Sequence, residues 1–298
     1  MRRPAWISLA LVLASLGAPA QAFRAEEEWA SAAVEGARSA LAARPAAFPQ
    51  KASPGSMEEA LQAAVLSRMK RNPVAAEFAA PILEEKDAVA FVLRSEADDA
   101  SLKGAWATYK RNTRTVLLNR DAIASDLGES LDRGGPTPRQ LERLADRYLP
   151  VFVHELGGHA RHYEQLARIL GAPAPNARET ETNALRLEAM TVAAERKTNP
   201  NYLRDRNEYA RTESDLVDKY WESKEQRDPA VFSDFVTAVP GYRKIPPADA
   251  GSPVADYYRD DEKSILAADR RLIGDEPPDD EAGLGLRKPF DGSRSMRR

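Results

Sequence analysis

The chain has 298 residues, with 46 acidic side chains against 43 basic ones and no cysteine. The lack of cysteine excludes disulfides, thiolate metal ligands and a cysteine nucleophile. A net charge of −3 with both signs interspersed offers no basic field of the kind that binds nucleic acid, and the length is ample for a full hydrophobic core.

Arg2 and Arg3 precede an apolar run from Ala5 to Leu16 and a small-residue stretch ending at Ala22. This is the pattern of a secretory signal with an A-x-A cleavage site, too short to span a bilayer permanently. Residues 1–22 are therefore expected to be removed and the product exported, to a periplasm or outside the cell, with no stable membrane insertion. Residues 23–56 read as an alanine-rich helix followed by a proline-rich linker. Ser56 is a helix cap, with Glu58 and Glu59 in the first turn and Asn72-Pro73 as the stop. A further short helix is expected over 74–85.

Three short runs rich in β-branched and aromatic residues come next, at 87–93, 104–109 and 113–118. They predict a small antiparallel sheet, with 110–112 turning a hairpin. From Asp121 onward the pattern is helical. Thr137 caps a long amphipathic helix that Pro150 kinks, and residues 171–176 close it and cap the next helix, at 177–197. Later helices are expected at 202–226, 229–239 and about 261–272. The predicted class is α+β, mostly α, with a core domain at 57–240 and a Pro/Gly/Asp-rich extension at 241–298 that is partly disordered.

The only three histidines, His154, His159 and His162, fall within nine residues, and Glu155 follows the first. H-E-x-x-H on a helix places two histidines on one face around zinc, with the glutamate as base. Here the spacing is H-E-x-x-x-H, which on a regular helix turns the two imidazoles about 140° apart instead of about 40°. Two remedies are open. A π-bulge absorbs the extra residue, and the costly pair Gly157-Gly158 fits a backbone that must depart from regular geometry. Alternatively the helix stays straight and Glu155, His159 and His162 share a face as the ligands of a non-catalytic metal-binding protein.

A catalytic zinc takes three protein ligands. If His154 and His159 are two, the third comes from His162 or from Glu179, Glu181 or Glu188 on the next helix. Glu181, Ala184, Leu185 and Glu188 lie on one stripe that joins the apolar side, which disfavours Glu179. Ala184, one turn after Glu181, allows the two helices to approach closely, so Glu181 is preferred, with Glu188 as the alternative.

At these residues the chain resembles the gluzincin metallopeptidases, in which a glutamate on a following helix completes H-E-x-x-H. The six residues from His154 to His159 are similar to the H-E-x-x-G-H of the dipeptidyl-peptidase III family. That resemblance implies His154 and His159 as Zn²⁺ ligands, Glu155 as general base, and a sheet whose edge strand binds an extended peptide or protein substrate. It is local: the second motif of that family is matched only at Arg186 and Glu188. Tyr202, Tyr209 and Tyr242 are candidate donors to an oxyanion. A relative that keeps the fold without metal is the remaining alternative.

Overall fold

The computed structural model describes residues 56–85, 89–127, 136–171, 177–205, 208–239 and 242–275. The expected signal segment and linker and the tail beyond 275 lie outside these residues, and so do the loop at 172–176 and its expected cap Asn176. The molecule is α+β and mostly helical.

Helix α1 (Met57–Met69) begins where Ser56 accepts from the Glu59 amide, as the sequence predicts. Asn72 caps α2 (Pro73–Phe78), and a break at Ala79 separates it from α3 (Ala80–Glu84), so the single helix expected there is two. Strands β1 (Ala90–Arg94), β2 (Ala107–Lys110) and β3 (Thr115–Asn119) form one sheet in the order β1-β3-β2. The hairpin turn after Lys110 makes β2 and β3 antiparallel, but β1 pairs with β3 in parallel. The sheet is thus mixed, not wholly antiparallel, because β3 inserts between the two earlier strands. That leaves β2 as an edge, and Trp106 C=O, just before it, accepts from Asn119 N–H. In an antiparallel ladder the amides of Ala107 and Tyr109 then face away from β3.

Helix α4 (Arg120–Leu127) follows the sheet directly. Helix α5 (Pro138–Arg147) opens with a capping box, Thr137 and Gln140 bonding each other's backbone amides. The long helix expected from Thr137 breaks at Tyr148, two residues before Pro150, and α6 (Leu149–Val153) restarts with every residue buried. A π-helical segment, His154–Ala160, joins it to α7 (Arg161–Leu170), which ends on the left-handed Gly171.

Helix α8 (Arg178–Arg196) is the centre of the molecule. Fifteen of its nineteen residues are buried, so its polar side chains must find partners inside. It packs on α2, α6 and the π segment, and also on α9 (Glu208–Glu225), α10 (Pro229–Ala238) and α11 (Pro253–Leu272). Helix α9 starts six residues later than expected, because Leu203 takes a left-handed conformation (φ 50°) that no helix interior allows. Helix α11 starts eight residues earlier, capped by Ser252. Phe91 of the sheet stacks on Phe152 of α6 at 5.4 Å, tying strand and site helix into one core.

Candidate metal centre

The π segment decides where the histidines point. Its wider turn brings residues five apart onto one face, where an α-helix would separate them. His154 Nε2 and His159 Nε2 stand 3.1 Å apart. The two glycines lie where neighbouring helices press closest. A Cβ on Gly158 would sit 2.3 Å from Ala184 Cβ, and one on Gly157 would sit 3.3 Å from Phe78 Cβ. The close approach expected at Ala184 is thus made against Gly158.

That approach carries Glu181 to the imidazoles, with its Oε2 3.5 Å from His159 Nε2 and 3.8 Å from His154 Nε2. Burial raises the Glu181 carboxyl, but His159 and then His154 outweigh it and hold the group below its ordinary value. Glu188, one helical heptad on, takes a different place: its Oε2 accepts from His154 Nδ1 at 2.8 Å. Glu188, the alternative ligand, thus meets His154 on the ring nitrogen opposite the one that faces His159. Glu179 is tied elsewhere, accepting from the Ala248 amide.

Glu155 lies on the next position around the segment. Its Oε2 accepts from the Tyr109 amide at 2.7 Å, which is one of the outward-facing amides of edge strand β2. Tyr109 stacks on Tyr163, and Tyr163 stacks on His159, so strand and helix brace the site together.

His162 does not join the cluster. Fully buried on α7, its Nε2 donates to Asp261 of α11 at 2.7 Å, and Asp261 also accepts from Arg161 and Asn183. Burial pushes His162 down to about 4, more than Asp261 restores, so the ring is neutral. Burial works against the Asp261 carboxylate, but the His162 hydrogen bond and Arg161 hold it well below its ordinary range. The straight-helix ligand set of Glu155, His159 and His162 is therefore not assembled, because the backbone is π-helical and His162 is committed to Asp261.

His154, Glu155 and His159 form a group that could hold a metal ion. Their nitrogen and carboxylate oxygen donors, with Glu181, suit a divalent transition metal. A tetrahedral site with bonds of about 2.0–2.1 Å has ligand-to-ligand edges of about 3.3 Å, and the separations of 3.1, 3.5 and 3.8 Å bracket that value. A second-sphere carboxylate on His154 completes the pattern.

Among the three tyrosines, Tyr202 donates to Asp146 C=O and Tyr209 is buried among Tyr148 and Trp106. Tyr242 instead lines a cavity of about 430 Å³ that His154 and Glu155 also border. Two residues of this region were not anticipated, Glu213 and Asp261. Each sits on an otherwise apolar stripe, Tyr209-Glu213-Val217-Tyr220 in α9 and Val254-Tyr258-Asp261-Ile265 in α11, and a charge in that position is the signal that could have found them. No family model, curated protein or solved structure matches the chain.

Proposed function

We propose that the chain is an exported zinc-dependent peptidase of gluzincin type. The observation that carries this reading is the π turn, which sets His154 and His159 Nε2 3.1 Å apart with the Glu181 carboxylate facing both. His154, His159 and Glu181 would hold the ion, which supplies Lewis acidity at the scissile carbonyl and makes water nucleophilic near neutral pH.

The protein's own groups do the remaining work. Glu155 accepts the proton of the attacking water and delivers it to the leaving amine. The Tyr109 amide holds one oxygen of that carboxylate, leaving the other for the proton. Glu188 keeps His154 in the tautomer whose Nε2 faces the ion. The outward amide of Ala107 on edge strand β2 would bond an extended peptide alongside the site. Tyr242 borders the same space, and burial and then Glu181 push its phenol far up, so it stays a hydrogen-bond donor.

The test is Glu155→Gln. This variant is expected to bind one zinc per chain with wild-type affinity and to lose hydrolysis of an unstructured protein substrate such as casein by a factor of about 10² or more. Full hydrolysis in that variant would refute the role.

A further inference from the structure

The cavity beside the metal centre carries a feature that zinc chemistry leaves unused. It is about 430 Å³, in the size range of ligand sites and far larger than a single ion needs. Its ionisable lining is mostly acidic: Glu96, Glu155, Glu188 and Glu213 border it with His154 and Tyr242, and among the described residues no lysine or arginine does.

The second observation is Glu213 itself. It lies on α9, is 3% exposed, and its Oε2 has no hydrogen-bond partner among the described residues. An orphaned carboxylate oxygen inside a protein calls for a partner that arrives from elsewhere. Arg196, the internal cation that acts on it, gives hydrogen bonds to the carbonyls of Tyr202 and Leu203 and to Ser214 Oγ. Burial, and then the charge of the adjacent Glu188 and a hydrogen bond to it, push the Glu213 carboxyl well up, more than Arg196 restores.

The walls identify the kind of cation. Trp106, Val151 and Leu185 furnish apolar surface. An alkyl stem against such walls with a charged head among carboxylates describes a lysine or arginine side chain better than a bare ion.

We propose that this cavity is a specificity subsite that receives the cationic side chain of a lysine or arginine next to the scissile bond, with Glu213 as the residue that pairs with it. This rests on the peptidase reading for what the ligand is, and on the cavity alone for where it binds.

The test is binding, measured calorimetrically on the zinc-loaded full chain without turnover. The probes are N-acetyl-lysine amide, N-acetyl-arginine amide and N-acetyl-norleucine amide, with leucine amide against N-acetyl-leucine amide as the arm for a free amino terminus. The expected result is binding of the lysine and arginine probes about 10-fold or more tighter than norleucine, the range of a hydrogen bond to a charged group. Glu213→Gln should reduce that preference to about threefold or less. Equal binding of lysine and norleucine probes overturns the proposal whether or not the variant folds. So does an undiminished preference in Glu213→Gln, or a Glu213-dependent preference confined to leucine amide, which would assign the cavity to the substrate's amino terminus. Casein hydrolysis measured in parallel separates the two readings. Cleavage without cation preference removes only the subsite, and cation preference without any cleavage removes only the peptidase.

Discussion

Replacing Gly158 with alanine is a perturbation of one methyl group that the structure makes consequential. The new Cβ would meet Ala184 Cβ at 2.3 Å and Cα at 2.8 Å. Relaxed carbon contacts need about 3.5–4.0 Å, so α8 must withdraw from the π segment by about 1 Å. Overpacking of this kind costs about 1–3 kcal/mol, while alanine in place of a helical glycine returns up to about 1 kcal/mol. The balance is a loss of between about 0 and 3 kcal/mol, or up to about 12 °C in melting temperature for a domain of this size. The larger effect falls on the metal. Zinc tolerates ligand displacements of only about 0.2 Å, and α8 carries both Glu181 and Glu188, so zinc affinity should fall at least 10-fold in competition with a chromophoric chelator. Adding Ala184→Gly removes the 2.3 Å contact and leaves the 2.8 Å one, so the double variant should recover affinity in part. A Gly158→Ala protein that melts and binds zinc like the wild type would refute the argument that this contact sets the site.

Two further outcomes follow from the same geometry. Glu188→Gln keeps an acceptor near His154 Nδ1 but loses the charge, and should weaken zinc about 10- to 100-fold with one ion still bound; complete loss of zinc would make Glu188 a ligand. His162, held down to about 4 against about 6.5 in the unfolded chain, gives a stability that is fully present above pH 6.5 and falls as the pH drops toward 4. The limiting loss is about 3 kcal/mol, and denaturant melts of His162→Asn at pH 4.5 and 7 should show a flatter dependence than the wild type; an unchanged slope would count against it.

Much of the site was legible because it is a matter of register. The five-residue spacing of His154 and His159 has few backbone solutions, and Gly157-Gly158 pointed to one of them. The stripe through Glu181 and Ala184 named the helix face that the structure buries against Gly158. Other features depend on partners distant in the chain. The parallel pairing of β1 with β3 is set by where β3 inserts, and only the β2–β3 hairpin has a local signal, at Lys110 and after. The separate duties of Glu181 and Glu188 follow from which imidazole nitrogen each meets, which depends on the tilt of α8. Asp261 lies about a hundred residues from the His162 it holds, and no spacing rule connects them. The late start of α9 reflects the left-handed Leu203, a residue type that gives no warning of that conformation.

In the proposed function the π turn makes one zinc site from His154 and His159 and leaves His162 outside it. Zinc stoichiometry and affinity of purified wild-type, His154→Ala and His162→Asn proteins, measured by equilibrium dialysis against competing chelator, address it most directly. The expected result is one zinc per folded wild-type chain, kept by His162→Asn and lost by His154→Ala. Zinc retained at wild-type affinity by His154→Ala, and lost by a folded His162→Asn, would contradict it.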